Sequence, residues 1–111
     1  LLMGVPIGMT DVDRTGISAL TPADIADAAS AGERWKLIGT LEPADAGVSA
    51  SVKPERVALD HPLASVGGAV NAVTYTTELL GDVTLVGPGA GRLETGYAVL
   101  VDLLEIHRTR A

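Results

Sequence analysis

The sequence predicts an α+β fold, a mainly antiparallel sheet with helices on one face. Three observations predict it. Strand-like runs follow one another through the middle of the chain, at 35–41, 48–57, 69–77 and 82–86, with turn residues between them. Helical signals are confined to a stretch that opens at Thr21 and to the C-terminal end. Apolar residues make up 47% of the chain, yet Trp35, Tyr75 and Tyr97 are its only aromatics, so the core must be built from Val, Leu, Ile and Ala. The resulting order is β-α-β-β-β-β-α.

Residues 1–11 are apolar but interrupted by Gly4, Pro6 and Gly8, as at the end of a helix running into a loop. A short strand fits within Val12 to Ala19. Thr21-Pro22-Ala23-Asp24 then opens a helix: the threonine hydroxyl caps a free amide, proline suits the first helical position, and Asp24 complements the dipole. That helix stops at Gly32, which accepts a left-handed cap. Its small alanine-rich face should lie flat and close on a sheet. Trp35–Leu41 reads as a strand, Pro43 to Gly47 as a turn, and Val48–Val57 as the returning strand, with Val48, Ala50 and Val52 on one face and Pro54 interrupting the run. Asp60 to Gly68 is a loop with room for one helical turn. Ala69–Thr77 is rich in Val, Thr and Tyr, as a strand should be. Asp82–Val86 is the next strand, and Leu93 to Arg108 the last helix. That helix is apolar around most of its circumference, which predicts burial on more than one side.

At 111 residues the chain is one domain or part of one, and it is treated as a single partial domain over 1–111. Eight basic residues against fourteen acidic ones give a net charge of −6, with no basic run, which argues against nucleic acid. The absence of cysteine excludes a disulfide framework and a thiolate metal site. The apolar runs are too short for a membrane span and no signal-like stretch is seen, so a cytoplasmic chain without a membrane partner is expected. The opening Leu1-Leu2 reads like the tail of an element already under way, which predicts a piece of a longer polypeptide.

Few residues carry chemistry. Gly87-Pro88-Gly89-Ala90-Gly91 joins a strand to a helix, and two readings stay open: a tight corner, the commoner use, or backbone amides at a positive helix end that meet an anion or cofactor. It is not a dinucleotide fingerprint, because no second strand follows Gly91. His61 sits in a loop between Asp60 and Pro62, where a neighbouring carboxylate would hold it. His107 lies late in a helix and favours the dipole there. The two histidines lack paired carboxylates and make no metal site. Lys36 reads as a lysine with a buried stem and a wet head. Asp11, Asp13, Asp24, Asp27, Asp45 and Asp102 show no acid–base spacing, and Ser49 and Ser51 have no elbow around them. No catalytic residue is assigned.

Four segments in order nonetheless resemble one family. They are Asp13-Arg14-Thr15-Gly16-Ile17 continuing to Thr21-Pro22-Ala23-Asp24-Ile25; Trp35-Lys36-Leu37-Ile38-Gly39; Asp60-His61-Pro62-Leu63-Ala64-Ser65-Val66 with Asn71-Ala72-Val73; and the glycine turn with Thr95 and Ala98 to Leu103. Together they are similar to the later catalytic-domain portion of homoserine dehydrogenases. The resemblance implies an NAD(P)-dependent oxidoreductase interconverting L-aspartate 4-semialdehyde and L-homoserine, on the route to threonine and methionine. It implies that the N-terminal Rossmann half and the proton-transfer residues lie outside this chain, so that the chain alone would be inactive. It also implies a homodimer formed through the sheet. By position, the turn would contact part of the NAD(P) cofactor through Gly91 first, with Gly89 and Thr95 as neighbours. Arg92 and Glu94 depart from the family, standing where many members have small residues or proline, and Gly96 replaces alanine. Glu94 puts a negative charge near any bound phosphate. The competing expectation is a free-standing, non-enzymatic α+β module for ligand binding or oligomerisation.

Overall fold

The computed structural model describes residues 3–45 and 47–110. Leu1 and Leu2, whose apolar opening figured in the sequence reading, lie outside the described residues, as do Ala46 and Ala111. The chain is α+β, but its strands form two sheets rather than one, a three-stranded sheet and a two-stranded one. The division into two compact units falls after Ala64.

The first unit opens with a 3-10 turn, Met9–Asp11, tied by the Gly8 amide donating to the Asp11 carboxylate at 2.8 Å. Strand β1 is Val12–Arg14, inside the Val12–Ala19 stretch where a short strand is expected, and it pairs parallel with a later strand. It ends where the Thr15 amide makes a last bond to the Val52 carbonyl at 2.9 Å and the chain turns away through Gly16. Helix α1 spans Pro22–Ser30. Thr21 and Asp24 cap it reciprocally: the Asp24 amide donates to the threonine hydroxyl at 3.3 Å, and the Asp24 carboxylate accepts from the Thr21 amide at 2.8 Å and hydroxyl at 2.6 Å. At the other end Gly32 takes a φ of +72°, the left-handed conformation in which a side chain is strained.

Strands β2 (Glu33–Ala44) and β3 (Gly47–Ala58) form a long antiparallel hairpin, paired from Glu33↔Ala58 to Ala44↔Gly47. The turn between them is narrower than predicted, since Pro43 and Ala44 are already paired. Pro54 does not interrupt β3; it pairs with Leu37. It lies past Val52, the last residue matched to β1, where β3 has an open edge and a missing amide is tolerated. In the sheet order β1-β3-β2, α1 lies on β2 as its small residues predict, with Ala28 only 1% exposed. Two polar ties fix it there. The Trp35 indole donates to the Asp24 carbonyl at 3.1 Å, and Arg56 donates to Asp27 at 2.8 Å and to Glu33. The core of this unit is accordingly small: Ala28, Ala50 and Ala64 are its buried apolar residues.

The second unit contains the hairpin of β4 (Val70–Thr77) and β5 (Gly81–Pro88), followed by helix α2 (Arg92–Arg110). Thr77 closes the hairpin turn, its hydroxyl donating to the Gly81 carbonyl and accepting from the Leu80 amide, each at 3.0 Å. Gly81 takes a φ of +67°. The Thr74 and Thr84 hydroxyls bond across the strands at 2.9 Å. Burial of α2, predicted from its apolar circumference, is not observed: no residue of the helix is buried, and Leu93 and Tyr97 are 84% and 70% exposed. Within its own unit the helix has no cover, since α2 makes no substantial packing contact with β4 or β5.

Candidate functional site

The glycine turn is built by the second unit alone. Strand β5 runs antiparallel to β4 down to the pairs Asn71↔Gly87 and Val70↔Pro88. Beyond Pro88 the chain is clamped at once, because the amides of Gly89 and Ala90 both donate to the Ala69 carbonyl, at 2.8 and 3.1 Å. These two amides are therefore committed to the fold, which corrects the expectation of a turn full of bare N–H groups. The helix begins just beyond them. The Thr95 amide donates to the Gly91 carbonyl at 3.0 Å as the helix opens. The amides of Arg92, Leu93 and Glu94 precede that bond and have no acceptor within the helix.

None of Gly87, Gly89 and Gly91 has a positive φ, so backbone conformation does not demand glycine here. Neighbouring side chains fill the space beside two of them, firmly at Gly89 and yieldingly at Gly91. A Cβ on Gly89 would run into the amide group of Asn71, which reaches over from β4. A Cβ on Gly91 would run into the carboxylate of Glu94, folded back from the third position of α2. Gly87 has open space beside it. The structure thus brings Gly89, Gly91 and Thr95 together at one corner and adds two side chains whose placement the sequence reading missed. The first follows from the register that sets Asn71 opposite Gly87, which no local sequence pattern reveals. Glu94 was visible as a departure from the family, but not its fold-back.

The other sequence candidates lie elsewhere. His61 belongs to the first unit, just before a 3-10 turn at Pro62–Ser65. Its partner is not the expected Asp60 carboxylate: the Leu63 amide donates to Nδ1 at 3.1 Å, which leaves the proton of the neutral ring on Nε2. The imidazole borders an open groove lined also by Ile38, Glu55, Val57, Asp60 and Leu63. Lys36 is half-buried on β2, opposite Glu55. Ser49 and Ser51 lie on β3, opposite Glu42 and Thr40. His107 joins Arg108 and Arg110 in the last turn of α2, where cations suit the helix dipole. Among the described residues no group of three His, Asp or Glu side chains could hold a metal ion, and no helix is long and apolar enough to cross a membrane.

These features define an α+β chain with a strand–glycine–helix junction as its candidate site. Comparison with known proteins specifies the class. The sequence profile of homoserine dehydrogenase matches residues 1–104, and the chain belongs to that family. It is 50% identical over 109 residues to the NAD(+)-dependent homoserine dehydrogenase of Pseudomonas canavaninivorans, covering 97% of this chain and 31% of that protein. It is 44% identical over 105 residues to the homoserine dehydrogenase of Mycobacterium tuberculosis, covering 90% of this chain and 24% of the relative. The crystal structure of the Thiobacillus denitrificans enzyme superimposes with a TM-score of 0.81 at 34% identity, over 96% of this chain and 25% of that one. The Staphylococcus aureus enzyme does so with a TM-score of 0.76 at 40% identity, over 91% and 26%. The chain therefore spans about a quarter to a third of the length of these relatives.

Proposed function

We propose that this chain is the later catalytic-domain portion of a homoserine dehydrogenase, a single partial domain in an enzyme that interconverts L-aspartate 4-semialdehyde and L-homoserine with NAD(P). Its corner at Gly89, Gly91 and Thr95 lies against the phosphate–nicotinamide end of the cofactor. The observation that carries this reading is the set of first-turn amides at the head of α2, which follow directly on Gly91 and have no acceptor within the helix. It stands within a chain matched to the family along 1–104. The residues suit the group: main-chain amides at a helix start donate to a pyrophosphate, and glycine permits its close approach. When bound, the nicotinamide supplies the hydride acceptor or donor. This chain supplies the amides and a wall beside them. The residues that grip homoserine and move its proton belong to other parts of the parent enzyme, as does the Rossmann half.

The NAD(+) dependence named for the Pseudomonas relative supports a nicotinamide dinucleotide here. The exposed apolar circumference of α2 supports a missing protein surface against it. Homodimerisation through the sheet, a place in threonine and methionine biosynthesis and a cytoplasmic setting complete the reading.

In the full-length protein, Gly91→Val is expected to raise the dissociation constant for NAD(H) about tenfold, roughly 1.4 kcal/mol, while the far-UV circular dichroism stays unchanged. Loss of folded protein with unchanged affinity in what remains would make the turn a structural corner. The purified 111-residue chain is expected to show no homoserine-dependent reduction of NAD(P). Measurable turnover by that chain would refute the division of labour proposed here.

A further inference from the structure

The corner holds a charged side chain that a cofactor contact does not use. Glu94 is the third residue of α2 and is exposed, yet its carboxylate is folded back onto Gly91 rather than extended into water. It enters no ion pair among the described residues. Asn71, which covers the other glycine, is neutral and comes from a strand, so it belongs to the fixed part of the corner. Glu94 has three rotatable side-chain bonds and sits on the free side of a helix.

An anion approaching the amides of Arg92, Leu93 and Glu94 meets this carboxylate first. Like charges repel at close range, and Gly91 offers no side chain to hold them apart. We propose that Glu94 is an affinity- and charge-selecting residue of the cofactor corner: it occupies the head of α2 as an internal anion, and it must turn away before a pyrophosphate reaches those amides. The inference rests on the cofactor reading of the turn given above. It follows that Glu94 holds dinucleotide affinity down, and that the penalty grows with the negative charge brought to the corner.

The test uses the full-length protein and two variants, Glu94→Gln, which keeps the shape and removes the charge, and Glu94→Ala, which removes both. Equilibrium affinity is read from NADH fluorescence, and inorganic pyrophosphate is titrated as a competitor. Glu94→Gln is expected to tighten NADH and pyrophosphate by roughly fivefold. The gain should shrink as salt screens the repulsion. Glu94→Ala should tighten both at least as much. Unchanged affinities in both variants would overturn the inference, and so would weaker NADH binding, which would make Glu94 a direct ligand of the cofactor. Gly91→Val separates the two levels. If it weakens NADH binding while the Glu94 variants leave it unchanged, the cofactor corner stands and the role given to Glu94 falls. If no variant at either position moves the affinity, both readings fall.

Discussion

At the scale of single residues, the start of α1 shows how much one short motif determines. Thr21 and Asp24 satisfy each other's amides, and Pro22 needs no partner at the first helical position. Thr21→Ala should lower stability by about 1 kcal/mol, visible as a shift in the denaturant midpoint. The Thr21 hydroxyl and amide hold the Asp24 carboxyl below its ordinary pKa. A carboxylate with a depressed folded pKa contributes stability that is present above its unfolded value, near pH 4, and is lost as pH falls through the folded value. Thermal melts from about pH 6 down to about pH 3 should therefore show an acid-side loss that Asp24→Asn reduces, at the expense of stability near neutrality. This cap was legible because each residue type is informative by itself. The contact between Asn71 and Gly89 was not, because a turn glycine looks the same whether it serves a φ angle or a neighbour's side chain. The imidazole of His61 was misassigned for a related reason: Asp60 is nearest in sequence, but the loop turns the Leu63 amide toward Nδ1.

At the scale of elements, strands and helices were legible while their pairing was not. Period-two patterns located β2 to β5, but they do not distinguish one sheet from two. Pro54 is instructive. Its lack of an amide predicts a break, and the break is avoided only because β1 ends two residues short of it. That fact depends on a parallel pairing between segments far apart in sequence. The glycine corner offers a test at the same scale. Gly89→Ala must expel the Asn71 side chain, which is short and anchored on a paired strand, and should cost about 1–3 kcal/mol. Gly91→Ala displaces only the long, exposed Glu94 and should cost less than about 0.5 kcal/mol. Denaturant midpoints of the two variants, measured side by side, check the order; equal losses would contradict the geometry.

For the whole molecule, the sequence made α2 a buried helix and the structure leaves it uncovered, although both describe the same apolar circumference. Period and composition reveal that a surface seeks a cover, not where the cover comes from. Leu100 and Leu104 are 53% and 47% exposed in this chain. Leu100→Asp should therefore change the stability of the isolated chain by no more than about 0.5 kcal/mol. In the full-length enzyme the same substitution should cost at least about 2–5 kcal/mol, the range for truncating a core leucine, because a buried carboxylate adds to that loss. Chemical denaturation of both forms measures the difference, and equal effects would mean that α2 remains uncovered in the parent.

The short parallel strand β1 has a consequence for the order of assembly. Its partner along Ala50 to Val52 is β3, which lies later in sequence than both α1 and β2. Until β3 exists and is held in register by β2, Val12–Arg14 has nothing to pair with. The β2–β3 hairpin closes locally, on a scale of about 1–10 μs for such structures, whereas β1 must wait and then return over a longer loop. The hairpin is thus the template, and β1 is a late clasp whose addition fastens the beginning of the chain onto its middle.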